Sequence, residues 1–408
     1  MWAQRCGAVA VRIDAVDFFY LSMPVIEDVG DGSQDVLLVR VEAGGHVGWG
    51  ECEASPLTSI ASLVAPMSHS ACHPVIDSVR GQALDTVQDI ARIGELVKER
   101  SFDLLQAPHT VSGIDIAMWD LLGHRFEEPV HQLLGRAEPR PRRPYASVLF
   151  GITPEETRVR GAQAVADGFT AVKFGWQDFG RGSLAADVEQ LAAAREGIGD
   201  ADLLVDAGMV WGHDPEPAIA RVPALEAFGV RFIEEPFFPG ADRAYRALKG
   251  ALRTVKLAGG EGSHSVEMAL GAIDHSGVDF IQIDVGRIGG ITAAAVVADE
   301  AARAGVQYVN HTFTSHLALS ASLQPYSSDP HADLCEYPLD AKAVSRDLTV
   351  DRLEPGVDGL IRVPSAPGLG MRVDEDVVVR YLVDVEISVA GRALYKTPSL
   401  SRTLGAGR

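Results

Sequence analysis

Apolar and polar residues alternate along 10–19, 35–42 and 45–51, the two-residue period of half-buried strands, and Gly44-Gly45 between the last two marks a hairpin turn. Over 81–99 and 113–122 the period lengthens to that of a helix, and this region closes at Leu133-Leu134-Gly135. Strands followed by helices predict an α+β unit. Residues 138–144 (Glu-Pro-Arg-Pro-Arg-Arg-Pro) carry no apolar side chain except proline, which disfavours helix and inner strand alike, so a linker and domain boundary are expected there. Beyond it, short apolar runs at 145–150, 170–174, 203–206, 231–234, 254–258, 280–284, 306–310 and 333–336 alternate with Ala-rich amphipathic stretches such as 185–197, 216–228 and 293–304. Eight strands alternating with helices over about 200 residues predict an α/β fold closed into a (β/α) barrel. A doubly wound open sheet is the second choice, because no Gly-x-Gly-x-x-Gly follows the first strand. The tail holds Pro367-Gly368-Leu369-Gly370, an apolar alternation ending near Leu382, and a loose polar stretch over 396–408. The expected units are 1–138, 139–365 and 366–408.

Composition narrows the function classes. A chain of 408 residues favours two domains. Its formal charge of −20 repels phosphate backbones and anionic lipid, so neither a nucleic acid nor a membrane is expected as partner. An anionic small substrate stays compatible, since a bound cation and a few basic side chains reverse the local field. Cys6, Cys52, Cys72 and Cys335 are scattered, with no Cys-x-x-Cys pair, which speaks against a zinc cluster or disulfide framework. The apolar run at 7–11 is too short for a signal peptide, and no run approaches the roughly 20 residues of a membrane span. A cytoplasmic protein is expected.

A barrel of this kind builds its site at the C-terminal ends of its strands. Lys173 ends the second predicted strand, Asp206 the third and Glu234 the fourth, while Glu261 follows the fifth. Asp284 ends the sixth, His311 and His316 follow the seventh, and Glu336 ends the eighth. Three neighbouring strands presenting Asp, Glu and Glu place carboxylates that repel unless protonated or bridged by a cation, and oxygen-only ligation suits a hard ion such as Mg²⁺. The plainer alternative makes them helix caps or partners of arginines. In Ile233-Glu234-Glu235-Pro236 strand alternation lets one acid face inward, and spacing does not say which.

These residues carry a family resemblance. Gly113-Ile-Asp-Ile-Ala-Met-Trp-Asp120 with Gly123, Leu133-Leu-Gly135, Thr170-Ala-Val-Lys173, Val205-Asp-Ala-Gly208, Phe232-Ile-Glu-Glu-Pro236, Gly259-Gly-Glu261, Asp284-Val-Gly-Arg-Ile-Gly-Gly290 and Thr314-Ser-His-Leu317 run in order through most of the chain. Together they resemble the enolase superfamily, on the mandelate racemase side. The resemblance implies an enolase-type modified TIM barrel, with a capping domain built from the N-terminal unit and the returning C-terminal segment. It implies Mg²⁺ on Asp206, Glu234 and Glu261, an Asp284–His316 dyad whose imidazole is the base, and Lys173 and Glu336 at the substrate carboxylate. It also suggests a homo-oligomer.

The implied chemistry is removal of a proton α to a carboxylate, which needs the metal and hydrogen-bond donors to stabilise the enolate. An imidazole tuned by a carboxylate suits the base. One departure matters: the family commonly has a second base two residues after the lysine, where this chain has Gly175. A two-base racemase would lack one partner, whereas a dehydratase manages with a single histidine. Dehydration of a sugar acid to a 2-keto-3-deoxy acid is therefore expected, ahead of a racemase, epimerase or cycloisomerase, and ahead of a non-catalytic metal- or acid-sugar-binding barrel. A metal-dependent hydrolase lacks its early His-x-His, and a glycosidase leaves the third acid and the dyad unexplained. Lys256, Arg287 and Trp49-Gly50-Glu51 are expected to be structural, and His311 a second imidazole or a strand cap.

Overall fold

A computed structural model describes residues 10–30, 32–52, 55–339 and 341–400; most of the apolar run at 7–11, Cys6 and the end of the polar tail lie outside them. The N-terminal strands β1 (Ile13–Leu21), β2 (Val36–Ala43) and β3 (His46–Cys52) form an antiparallel sheet in chain order. Ala43 pairs with His46, so Gly44 and Gly45 are the whole turn, at φ 56° and 80°, where a two-residue hairpin needs left-handed backbone. The helix Ala107–Phe126 lies directly on β3. A Cβ at Gly50 would stand 2.2 Å from the Gly113 carbonyl oxygen, so only glycine permits this approach.

That helix is buried on every side over 110–123, because the sheet covers one face and the barrel another. Trp119 Nε1 donates to Thr292 Oγ1 at 2.9 Å, and Asp115 Oδ1 accepts the Thr292 amide at 3.1 Å. Asp120 accepts the amides of Trp49 and Leu369, each at 2.8 Å. The 113–120 motif is thus a joint between sheet, barrel and C-terminal segment.

The barrel strands are β4 (Arg143–Leu149), β5 (Ala171–Gly175), β6 (Asp202–Asp206), β7 (Val230–Glu234), β8 (Lys256–Gly259), β9 (Phe280–Ile283), β10 (Gln307–Asn310) and β11 (Leu334–Pro338). They form one parallel sheet in the order β10-β9-β8-β7-β6-β5-β4-β11. All eight expected strands are present, their ends moved by a residue or two. Between β10 and β11 the Asn310 side chain takes the place of a peptide unit. Its Oδ1 accepts the Glu336 amide at 3.0 Å, and its Nδ2 donates to the Glu336 carbonyl at 3.2 Å. One residue from each strand (Tyr145, Ala171, Leu204, Phe232, Ala258, Phe280, Val309 and Leu334) fills the barrel with an apolar layer.

Two expectations need correcting. The linker is not loose to its end, since Arg143 and Pro144 already belong to β4, where proline is tolerated near a strand's start. The Arg142 guanidinium before them donates to the carbonyls of Asp329, Ala332 and Tyr326, strapping the segment down. In the tail, the alternation ending near Leu382 is a helix, Glu375–Tyr381, followed by an unexpected hairpin of β12 (Glu386–Val389) and β13 (Arg392–Lys396). The segment docks on the N-terminal sheet: the Val383 amide donates to the Tyr20 carbonyl at 2.8 Å, and Arg40 donates to the Leu400 carbonyl at 3.2 Å. Among the described residues no helix is long and apolar enough to cross a membrane.

Candidate active site

Residues two apart on a strand share a face. Counting two positions on from the apolar layer gives Ser147, Lys173, Asp206, Glu234, Gly260, Gln282, His311 and Glu336, a polar layer, Gly260 aside, above an apolar plug. Lys173 sits at its centre. Its Nζ lies 2.6 Å from Glu234 Oε1, 2.6 Å from Glu336 Oε1 and 3.9 Å from Asp206 Oδ2. Burial alone would depress this ammonium, but Glu234 and Glu336 outweigh it and hold it well above the usual lysine range. Glu336 Oε2 accepts the Thr312 amide at 3.0 Å.

Of the adjacent acids, Glu234 faces Lys173. Burial pushes its carboxyl up to about 8, reinforced by Asp206 and Glu336 and opposed by Lys173. Its second oxygen, Oε2, is buried with no hydrogen-bond partner. Glu235, in left-handed backbone at φ 36°, is also buried, and burial with the Asp206 charge raises it to about 7. Glu261 is raised well above its usual range, by burial first and then by Glu235 and Glu234, against His311 and Arg287. Its oxygens lie 3.5 Å from Arg287 Nη1 and 3.5 Å from His311 Nε2. Among the described residues no three acids or imidazoles already stand as a ligating cluster, because Glu234 is directed at Lys173 and Glu261 at Arg287 and His311. The donor set nonetheless fits a hard cation. Four carboxyls, Asp206, Glu234, Glu235 and Glu261, are buried in neighbouring strand ends, and Glu234 Oε2 is left without a hydrogen-bond partner.

The dyad is the main correction. Asp284 Oδ2 lies 2.8 Å from Nδ1 of His311, not of His316, and Asp284 Oδ1 accepts the Gly286 amide at 2.7 Å. His316 is the first residue of the helix His316–Leu323, past the Ser315 cap. Its Nδ1 accepts the Leu353 amide at 3.2 Å, and burial, with Arg352 nearby, lowers it to about 4. His311, by contrast, continues the inward face of β10 two residues beyond Val309. That count was available in the sequence, whereas the Thr-Ser-His-Leu match points to His316, whose Nδ1 is engaged by the Leu353 amide instead.

Arg287, expected to serve backbone packing, reaches both acids, with Nε 3.8 Å from Asp284 Oδ2. Lys256 stays outside, its Nζ 3.8 Å from Asp279. Gly175 pairs with Asp206 across β5 and β6, and a Cβ there would stand 2.9 Å from the Asp206 Cβ. The space a second base would start from is taken by the Asp206 side chain beside it. Over the mouth, the loop after β1 brings Gly30 against Trp176 and Gly32 against Phe313. A cavity of about 50 Å³ lies beneath it, lined by Glu27, Ser33, Ser147, Phe313 and Lys342 among others, and Ser147 pairs with Lys173 in the sheet. A larger cavity of about 230 Å³ opens behind Glu235, among Tyr245, Met268 and Ser276, away from the dyad.

Residues 24–135 match the family model for the mandelate racemase / muconate lactonizing enzyme N-terminal domain, and residues 157–377 match the enolase C-terminal domain-like model. The crystal structure of a "predicted Mandelate racemase" from Rhodobacter sphaeroides superposes with a TM-score of 0.92 at 55% identity, covering 96% of this chain and 100% of that one. D-galactarolactone cycloisomerase of Agrobacterium fabrum is 26% identical, over 85% of this chain and 90% of its own length. Arabinonate dehydratase of Saccharolobus solfataricus is 24% identical, over 87% and 93%.

Proposed function

Because the chain belongs to the mandelate racemase / muconate lactonizing enzyme family of the enolase superfamily, we propose that it removes the proton α to the carboxylate of a sugar acid and eliminates the β-hydroxyl, giving a 2-keto-3-deoxy acid. The observation that carries this reading is a single imidazole–carboxylate dyad, His311–Asp284, at the mouth, with backbone and no base at Gly175. Relatives named as a cycloisomerase and as a dehydratase bracket the same acid-sugar chemistry.

Asp206, Glu234 and Glu261 would hold Mg²⁺, which supplies positive charge to the substrate carboxylate and the enolate. Asp284 holds Nδ1 of His311, leaving Nε2 to take the α-proton. The electron pair left on the α-carbon forms the new C–C double bond as the β C–O bond breaks. The same Nε2 returns its proton to the departing hydroxyl, which leaves as water, and the enol tautomerises to the ketone. Lys173, kept cationic between two carboxylates, faces the substrate carboxylate, and Glu336 hydrogen-bonds its other oxygen. A cycloisomerase is the second reading, favoured by the named relative and requiring the same first proton transfer. The reading includes a homo-oligomer in the cytoplasm, which sedimentation and fractionation check.

Incubating a panel of acid sugars with Mg²⁺ in D₂O, and following both α-deuteration and 2-keto acid formation, tests the proposal. Keto acid from at least one substrate is expected. Deuteration with inversion and no keto acid would make it an epimerase; a ring-opened or ring-closed isomer, a cycloisomerase.

A further inference from the structure

Glu51 ends the inward side of the capping sheet, one residue before the end of β3, and is buried to 1% exposure. Among the described residues its carboxylate bonds to no group of its own sheet. It reaches the barrel instead, where Ser315 donates its hydroxyl to Oε2 and its amide to Oε1 at 3.4 Å. The serine has no freedom in this. Its Oγ accepts the amides of Leu317 and Ala318 at 3.1 and 3.4 Å as the N-cap of the helix His316–Leu323, so its one hydrogen is left for Glu51. Burial raises the Glu51 carboxyl above its usual range, opposed by the hydroxyls of Ser315 and Thr314.

The segment 311–315 is therefore held at three points. His311 is bonded to Asp284, the Thr312 amide to Glu336 Oε2, and Ser315 to Glu51. Two anchors belong to the barrel and the third to the cap. We infer that Glu51 is a positioning residue for the reaction: through Ser315 it fixes the segment that presents His311, so the base is in register only when the cap is seated on the barrel. This rests on the reading of His311 as the base. A one-ångström misplacement of such a group is sufficient to cost roughly a hundredfold in rate.

The test uses the full-length protein with Glu51→Gln, Ser315→Ala and the double variant, by two readouts. In amide hydrogen exchange without substrate, the variants should exchange faster over 312–318 while the helix Ile291–Ala304 stays protected as in the parent. In 2-keto acid formation from an active acid sugar, each single variant should lose about tenfold to a hundredfold in kcat with KM within about threefold, and the double variant should be no worse than the poorer single one. Unchanged protection over 312–318, an unchanged kcat, or additive losses in the double variant would overturn the inference. If the Glu51 variant does not fold, Ser315→Ala, which deletes only the hydroxyl end of the bond, carries both readouts. If the parent turns over no acid sugar, it is the proposed function that fails, and hydrogen exchange alone decides whether Glu51 orders the segment.

Discussion

Replacing His311 and His316 separately by asparagine distinguishes the two imidazoles near the seventh strand. Of these two imidazoles, His311 is the one bonded to Asp284, at 2.8 Å, and its Nε2 lies 3.5 Å from Glu261 in the mouth. A positioned general base contributes about 10²- to 10⁴-fold, or roughly 3–5 kcal/mol of barrel-mouth transition-state stabilisation. His311→Asn should therefore lower kcat for loss of the α-proton by at least about a hundredfold. His316 bonds one backbone amide, Leu353 at 3.2 Å, outside the acid cluster. Its loss should cost about 1 kcal/mol of stability and leave kcat within about threefold. The assay is proton NMR of the α-position in D₂O under saturating acid sugar, with thermal unfolding as the control for folding. An inactive His316→Asn beside an active His311→Asn, both folded, would falsify the dyad as drawn.

Three further outcomes follow from the same geometry. Glu234→Gln should weaken Mg²⁺ binding by titration calorimetry more than Glu235→Gln, because Glu234 offers the orphaned inward oxygen; the reverse order means the neighbouring acid is the ligand. Gly175→Ala forces a Cβ to 2.9 Å from that of Asp206, an overpacking that should cost about 1–3 kcal/mol in urea unfolding, and an unshifted midpoint contradicts the close approach. The Glu234 carboxyl titrates at about 8 in the folded chain against 4.5 unfolded, so the folded state binds the extra proton between those values. Stability of the metal-stripped protein is then fully present below the unfolded value and falls as pH rises through about 8, by at most roughly 1.4 kcal/mol per pH unit for this group. Saturating Mg²⁺ should flatten that slope; an equally steep fall with and without Mg²⁺ argues against a cation at these acids.

The period of apolar residues was enough to locate the eight barrel strands, because each is buried on both faces and bounded by turns. The polar layer was legible too, since Lys173, Asp206, Glu234 and Glu336 stand two positions past apolar plug residues. His311 obeys the same count, and a motif match to a helix-capping Ser-His overrode it. The C-terminal hairpin was missed because its strands are largely exposed and so lack the strong alternation that burial writes into a sequence. Its turn, Ala390-Gly391, with φ 48° and 78°, was the only local sign. Glu51 and Arg287 could not be assigned from spacing, as their partners Ser315 and Glu261 are distant in the chain and meet them only after folding.

The seam between β10 and β11 has a bearing on substrate fit. Everywhere else the ring is laced by peptide groups, but here one carboxamide does the stitching, with the Tyr326 hydroxyl 2.9 Å from its oxygen. His311 stands at one lip of that seam and Glu336 at the other. The spacing of His311 and Glu336 across the mouth is therefore set at this seam by side chains, the Asn310 carboxamide and the Tyr326 hydroxyl that holds it, and not by a ladder of peptide groups.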